Sequence, residues 1–420
     1  MICITFVLSN LKLYFIHVFP KSHLMSKSFS IIFTLLCFIA CGSCKKMTVE
    51  TPKPTPVTPL ASALNTYAPD KFVMGSDLSY ANQVEDYGGV FKDSGKVKDV
   101  FRLFKERGNN LVRVRLWHSP TWTAGINNGK QYSDLQDVEK TIRRAKAEGM
   151  HVNLDVHYSD TWADPSKQGI PKAWEGLSLA VLKDSVYQYT FKTLKYLESR
   201  NLTPEMIQIG NENNGGMLWP LGKIVNNDFK NFADLLKSGI QAVRDFSKTA
   251  AIKPQIVLHC AQLDGAEWWS DGVITKGGVT DFDIIGLSHY YKWAKINTMA
   301  DIGKTIAALK TKYGKKVMIV ETAFSWTSAD GDGYGNIMST NTSVETYPIS
   351  QAGQLQYMRD LTQTVISAGG SGIQYWEPAW ISSNMKDLWG KGSSWDNNTL
   401  FDFSGNALPA FEFMTAVYKF

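Results

Sequence analysis

The main part of this sequence has little cysteine, no long apolar run and no excess of charge. Of the five cysteines, only Cys260 lies beyond residue 44, so no disulfide can form within the body of the chain. No later apolar run has the roughly 20 residues that a transmembrane helix needs. Residues 61–420 carry 38 basic and 38 acidic side chains, since residues 1–60 hold six lysines and one acid. This neutrality argues against nucleic acid as a partner.

Aromatic residues, by contrast, are abundant. The chain has 13 Trp, 17 Tyr and 21 Phe. Aromatic faces stack well on flat apolar surfaces such as sugar rings, although a large hydrophobic core would also need many of them.

The N-terminal residues have the pattern of a secretion signal. Lys27 precedes the apolar stretch Ile31–Ala40, which is too short to span a bilayer comfortably. The following residues resemble the lipobox of bacterial lipoproteins, which predicts a lipid on Cys41 or, as second choice, Cys44. Because Met25 stands at the usual distance before such a signal, it is a candidate for the true start.

The segment between this signal and the main part of the chain is rich in proline. Four prolines between Thr48 and Leu60 favour an extended tether. We therefore expect a signal over residues 1–44, a tether over 45–62 and one domain over 63–420. The expected location is a bacterial outer membrane, cell surface or periplasmic face, with contact to a membrane only through the lipid.

Beyond the tether, short β-branched runs alternate with helical patterns, as in βα units around a parallel sheet. A doubly wound sheet usually has a glycine-rich loop after its first strand, and none follows Met74. The fold class predicted is therefore α/β, a single (β/α)8 barrel with extended loops after strands 7 and 8. The predicted strands are 72–74, 110–117, 151–158, 206–210, 255–260, 284–288, 317–320 and 373–376.

Polar side chains occur at the ends of the second and third strands. The strand period of two places Arg113, Arg115 and Trp117 on one face, towards the barrel interior, and groups Asp155 with His157 on another strand. Because buried charge is costly unless paired, these arginines need carboxylate partners near the barrel mouth.

Two glutamates follow strands four and seven directly. Glu212 and Glu321 lie three strands apart around the ring, so their side chains can meet across the mouth. Two carboxyl groups about 5 to 5.5 Å apart are the arrangement for retaining glycoside hydrolysis. Either glutamate alone would as readily cap a helix or pair with an arginine.

These motifs together resemble glycoside hydrolase family 53, the arabinogalactan endo-β-1,4-galactanases of a large retaining (β/α)8 clan. The resemblance covers nearly all of residues 70–416. It rests on Gly75–Ser79, Val112–Trp117, His157–Pro165, Gly210–Glu212, Glu321–Trp326 and Tyr375–Trp380.

The resemblance implies a role for each matched residue. Glu212 would be the acid/base and Glu321 the nucleophile, with Asn211 on the sugar 2-hydroxyl. Arg115 would keep the nucleophile ionised, because a nearby cation lowers a carboxyl pKa. The chain departs from the family's Ser-Tyr-Tyr-Pro after strand six, but Tyr290 keeps its place and is expected near Glu321.

Other strand-end residues are candidates for substrate binding. His157 and His259 would bind sugar or be satisfied barrel histidines; a zinc site with His289 is less favoured, because no closely spaced ligand motif supports it. Asp164 and several tryptophans would outline a cleft. The tryptophans are Trp117, Trp162, Trp376, Trp380 and Trp395.

The loop after strand seven suggests a structural calcium ion. Asp330, Asp332 and Asn336 alternate with glycines, which suits the oxygen coordination of Ca²⁺, whereas the alternative is a metal-free Gly-Asp turn. The resemblance to bacterial members of the family adds a carbonyl from Tyr334 as a ligand. It also adds Ser393 and Asp396 after strand eight.

The expected activity is therefore endo-cleavage of β-1,4-galactan, as in the type I arabinogalactan side chains of pectin, by double displacement in a monomeric enzyme. One alternative is an endo-β-1,4-mannanase or glucanase of the same clan, which would share the barrel and the glutamates. Another is a surface glycan-binding protein without activity. Assays on galactan, mannan and cellulose distinguish them.

Overall fold

The computed structural model describes residues 70–338 and 346–420. Eight parallel strands form a closed barrel in which each strand pairs with its neighbours in sequence and the first pairs with the last. The predicted barrel is thus confirmed. Its strands are β1 (Val73–Asp77), β2 (Leu111–Leu116), β3 (His151–Val156), β4 (Met206–Ile209), β5 (Gln255–Ala261), β6 (Ile284–His289), β7 (Lys316–Thr322) and β8 (Gly372–Tyr375).

Helices surround the barrel and connect its strands. Several begin at a capping side chain that accepts a backbone N–H, as Asp134 does from Asp137 (2.9 Å) and Thr298 from Asp301 (3.1 Å). In the described part of the chain they are α1 (Ala81–Asp86), α2 (Val100–Glu106), α3 (Thr121–Ile126), α4 (Leu135–Ala147), α5 (Leu179–Glu198), α6 (Lys230–Ser247), α7 (Ala266–Ser270), α8 (Met299–Tyr313) and α9 (Gln351–Ser367). Among these helices, none combines the length and apolar composition needed to cross a membrane.

The barrel interior changes character from bottom to top. Its floor is a small apolar cluster that includes Val73, Met206, Ile284 and Met318, all near the N-terminal ends of their strands. The upper interior instead holds buried polar and charged groups, among them Arg113. This division places the chemistry at the C-terminal ends of the strands, where barrel active sites lie.

Residues 1–69 lie outside the described residues. The signal, the lipobox and the whole tether predicted from the sequence fall there, so these features and the 63–420 domain boundary stay predictions. The long loops expected after β7 and β8 are present, apart from residues 339–345, which are also not described.

Candidate active site

A cleft of about 590 Å³ opens where the strands end. Glu212, after β4, and Glu321, in β7, both line it. Seven other residues that the sequence analysis singled out near this mouth also line it: Asn211, Trp162, Asp164, Tyr290, Trp376, Trp380 and Trp395.

A register shift directs Glu321 into this cleft. Leu287 of β6 pairs with Ile319, but the next residue, Ser288, pairs with Glu321, so β7 contains one extra residue. Regular alternation after the inward-facing Met318 would direct Val320 inward and Glu321 outward. The bulge turns Glu321 inward, as bulges near active sites often re-aim a side chain.

Glu321 is held by two donors. Arg113 Nη2 lies 2.8 Å from Oε1, and the Tyr290 hydroxyl donates to Oε2 at 2.9 Å. Burial raises the pKa of Glu321 to about 7, while the Arg113 cation and the Tyr290 hydrogen bond oppose that rise. These two contacts stabilise the ionised carboxylate and fix its orientation.

Glu212 stands on a constrained backbone beside Glu321. Its φ is 42° and that of Gly210 is 80°; a Cβ on Gly210 would meet the Asn213 side chain at 2.6 Å. Burial, together with the charge of Glu321, raises the pKa of Glu212 to about 8. The two carboxyls titrate as a coupled pair, and the higher pKa of Glu212 favours it as the protonated partner.

A hydrogen-bond chain determines which oxygen of Glu212 is free. The His259 Nδ1 accepts the backbone N–H of Glu212 (3.2 Å), so the neutral ring carries its proton on Nε2. That Nε2 lies 2.9 Å from the Ser288 hydroxyl, which in turn donates to Glu212 Oε1 at 2.6 Å. This chain engages Oε1 of Glu212, and Oε2 takes no part in it.

The two inward arginines have different partners from those expected. Arg113, and not Arg115, contacts Glu321, and Arg113 also pairs with Asp77 (2.7 Å) and Asp155 (2.8 Å). Arg115 instead pairs with the buried Glu377 at 3.1 Å. Its guanidinium is covered by the rings of Tyr80, Trp117 and Trp162, and it does not line the cleft.

The histidines are structural in their contacts. His157 donates from Nε2 to Asp155 (3.0 Å) and accepts the Ala163 N–H on Nδ1 (3.1 Å), so both nitrogens are satisfied below the cleft. His259 is engaged with Glu212 and Ser288, and neither ring is among the cleft-lining residues. The substrate-binding role considered for both is therefore not supported, and with His289 they form no metal-ligand group among the described residues.

The five tryptophans predicted to outline the cleft differ in burial and in whether they line it. Trp117 is buried, packs against Trp162 at 5.3 Å and does not line the cleft, which corrects its expected role. Trp380 and Trp395 line the cleft but are almost fully buried, so they shape its wall. Trp376 and Trp162 are half-buried at its surface.

Two tryptophans that the sequence analysis missed are the most exposed in the cleft. Trp293 is 48% exposed and Trp389 58% exposed, and both lie in loops beyond the strand ends. Lys167 lies over the Trp389 ring at 5.2 Å and near Asp164 (3.6 Å), which also lines the cleft. The sequence signal for Trp293 and Trp389 as cleft residues was their position in loops, four residues or more beyond a strand end. Such loops form the rim of a barrel active site.

The loops after β7 and β8 meet in an acidic cluster. Oxygen atoms of Asp330, Asp332 and Asp396 lie within 4.8 Å of one another, the one such group among the described residues. Asn336 donates to Asp396 at 2.8 Å, and its own Oδ1 is buried without a partner in the structure. Ser393 donates its N–H to Asp332 at 2.7 Å.

Comparison with known proteins identifies the family. The sequence model of glycosyl hydrolase family 53 matches residues 73–414. The chain belongs to this family. Family 53 membership was expected from the strand-end motifs and is now confirmed.

Relatives within family 53 cover most of the chain. It is 46% identical over 367 residues to the arabinogalactan endo-β-1,4-galactanase of Cellvibrio japonicus (strain Ueda107), with 86% of this chain and 95% of that protein covered. It is 34% identical to the endo-β-1,4-galactanase of Bacillus subtilis (strain 168), covering 81% of this chain and 85% of the relative. The solved family 53 catalytic domain from Ignisphaera aggregans superposes with a TM-score of 0.77 at 36% identity, covering 86% of this chain and all of that domain (100%).

Proposed function

We propose that this family 53 glycoside hydrolase cleaves internal β-1,4 linkages of galactan, including the type I arabinogalactan side chains of pectin, with retention of configuration. The observation that carries the proposal is the pairing of Glu212 and Glu321 in one cleft, where Arg113 and Tyr290 hold Glu321 and burial raises the pKa of Glu212. The names of the relatives support galactan as the substrate.

In the first step, Glu321 attacks the anomeric carbon while Glu212 donates its proton to the departing glycosidic oxygen. The bond to the leaving sugar breaks as the bond to the Glu321 carboxylate forms. In the second step, the Glu212 carboxylate accepts a proton from water, which attacks the anomeric carbon and releases Glu321. Arg113 and Tyr290 hold Glu321 in position in both steps.

Asn211 is placed to recognise the reacting sugar. Its Oδ1 accepts from Arg113 (2.8 Å) and its Nδ2 donates to the Ala163 carbonyl (2.8 Å), which fixes the amide beside Glu212. The second N–H of Nδ2 is left for the sugar 2-hydroxyl, a contact that strengthens in the transition states of such enzymes.

Purified protein on galactan, mannan and cellulose tests the substrate. We expect galactan viscosity to fall faster than reducing ends appear, because internal cleavage shortens chains before many ends are released. Equal or greater turnover on mannan or cellulose would assign the enzyme to the alternative substrates, and binding without turnover would support the non-catalytic alternative.

The Glu212→Ala variant should lose about 10²- to 10⁴-fold in turnover of galactan, the usual contribution of a general acid. The first step with an aryl galactoside that has a good leaving group should lose much less, because such a group needs little protonation. In the wild-type enzyme, kcat/KM should fall above about pH 8, where Glu212 loses its proton, and this alkaline decrease should be absent in the variant. Equal losses for both substrates would contradict the acid role.

We also propose a structural calcium ion in the acidic cluster. Asp330, Asp332 and Asp396 supply convergent carboxylate oxygens, and the buried Asn336 Oδ1 has no hydrogen-bond partner, which suits a cation. A carbonyl from Tyr334 and a ligand from Ser393 would complete the set. The ion would join the loops after β7 and β8 and have no part in bond cleavage.

Removal of calcium should lower the melting temperature, and added calcium should restore it, because a ligand that binds only the folded state stabilises it. The Asp330→Ala and Asp332→Ala double variant should melt lower than wild type and no longer respond to chelator. As a matched control, Asp228→Ala and Asp402→Ala, which lie in other loops, should keep the response. A double variant that melts and responds like wild type would remove the calcium proposal.

We propose that the chain is a bacterial lipoprotein anchored through Cys41 or Cys44. The apolar segment and lipobox-like residues before a proline-rich tether support this. Replacing Cys41 and Cys44 by Ser together should move the protein from the membrane fraction to the soluble fraction. Cys260→Ser, which alters a buried cysteine in the barrel, should leave it with the membrane. A wild-type protein already in the soluble fraction would contradict the anchor.

A further inference from the structure

The face of the barrel opposite the cleft contains a second cavity with a basic rim. It has a volume of about 390 Å³ and lies at the N-terminal ends of the strands. Its floor is apolar, formed by Val73, Met206, Ile284 and Met318. Its rim carries four lysines and one acid: Lys71, Lys310, Lys315, Lys316 and Asp70.

Within residues 70–338 and 346–420, the positive charge of this rim is not balanced by ion pairs. None of the four lysines forms an ion pair among the described residues. Lys315 donates to the carbonyls of Thr280 and Phe282 (both 2.7 Å), and Lys316 donates to the Gln255 amide oxygen (2.9 Å). Neutral acceptors such as these position an ammonium group without cancelling its charge.

The acids nearest to this face already have cationic partners of their own. Glu205, before β4, pairs with Lys146 at 2.7 Å. Asp283, before β6, pairs with Arg244 at 3.2 Å. Asp70 is the one acidic side chain that lines the cavity with the four lysines, and the C-terminal carboxylate of Phe420 adds a second negative charge at this face.

The described part of the chain begins at this face. Asp70 and Lys71, the first described residues, line the cavity. Phe420 is 72% exposed beside it, with its ring 6.0 Å from that of Phe72. An exposed aromatic next to lysines is a combination typical of surfaces that lie on membranes.

We propose that this basic face docks on the anionic lipid headgroups of the membrane to which the chain is tethered. The Lys71, Lys310, Lys315 and Lys316 ammonium groups contact the headgroup phosphates, and the cleft on the opposite side of the barrel faces away from the membrane towards polysaccharide. This electrostatic contact adds to the covalent lipid anchor. The anchor by itself would leave the orientation of the barrel relative to the membrane undetermined.

The test uses the chain from Lys45 onward, which lacks the apolar stretch Ile31–Ala40 and both Cys41 and Cys44, so that binding depends neither on acylation nor on insertion of the signal segment. Co-sedimentation compares vesicles of phosphatidylcholine alone with vesicles containing about 30% phosphatidylglycerol. We expect binding only to the anionic vesicles at about 0.05 M salt and its loss at about 0.5 M salt, where charges are screened over a few ångströms.

Charge reversal identifies the surface. Lys71→Glu, Lys310→Glu and Lys316→Glu together should weaken vesicle binding by about 100-fold or more, since each lysine near an anionic surface contributes roughly fivefold. The matched control reverses Lys140, Lys192 and Lys304, which are exposed on α4, α5 and α8, and has the same net charge. It should bind nearly as wild type, and both variants should hydrolyse galactan normally.

Three outcomes would overturn the proposal. One is equal binding to neutral and anionic vesicles, and another is an equal loss in the control variant. The third is binding to short duplex DNA as tight as to the anionic vesicles, which would show a general affinity for polyanions.

Discussion

Glu321→Ala is expected to reduce galactan turnover by about 10⁴-fold or more, because it deletes the group that forms the covalent glycosyl-enzyme. Binding of galacto-oligosaccharides should persist, since the cleft walls and exposed tryptophans are unchanged. Azide is small enough to occupy the space left by the carboxylate and should restore part of the activity on an aryl galactoside. The rescued product should have the inverted configuration, because one displacement replaces two.

A matched control keeps the Glu321 result interpretable. Glu175→Ala changes an exposed glutamate in the loop before α5 and should leave turnover and melting temperature at wild-type values. Circular dichroism and the melting curve of Glu321→Ala establish whether its fold is intact. A folded Glu321→Ala enzyme with full activity would rule out the nucleophile assignment.

Arg113 is expected to be the more sensitive of the two inward arginines. Arg113→Met leaves Asp77, Asp155 and Glu321 buried without their common cation, so we expect a loss of about 3–5 kcal/mol in the free energy of unfolding. Arg113→Lys keeps a charge but cannot make the forked contacts, so it should retain more stability while kcat falls. Denaturant titration and steady-state kinetics measure the two effects.

The Arg115→Lys variant is the control for this assignment. Its contact is with Glu377, so the positions of Glu321 and its donors should be preserved and kcat should change less than in Arg113→Lys. A larger fall in kcat for Arg115→Lys would restore the assignment made from the sequence, in which Arg115 supports the nucleophile.

The contrast between these arginines shows where reasoning from the sequence reached its limit. Strand periodicity correctly directs both side chains into the barrel, because alternate residues of a strand share a face. It does not say which carboxylate each guanidinium reaches. In the pairing of β2 with β3, Arg115 lies directly opposite Asp155. The hydrogen bond to Asp155 nevertheless comes from the long Arg113 side chain.

For histidines and tryptophans at the strand ends, the sequence likewise did not show which side chains line the cleft. His157, His259 and Trp117 come from positions where a barrel site is expected, but they lie beneath the cleft and are covered by other side chains. Trp293 and Trp389 line it from loops whose course no local pattern specifies. Whether a side chain at a strand end lies beneath the cleft or lines it depends on how several loops pack together.

By itself, the sequence determined the eight strands, their order, the family and the two glutamates that follow strands four and seven. These features depend on local periodicity and on contiguous motifs, which a single chain displays directly. The tertiary structure alone decided the direction of Glu321, because the extra residue in β7 is visible only against the registers of β6 and β8. It also decided the partner of Arg113 and the basic rim opposite the cleft, since both unite residues that are far apart in the chain and adjacent only after the barrel closes.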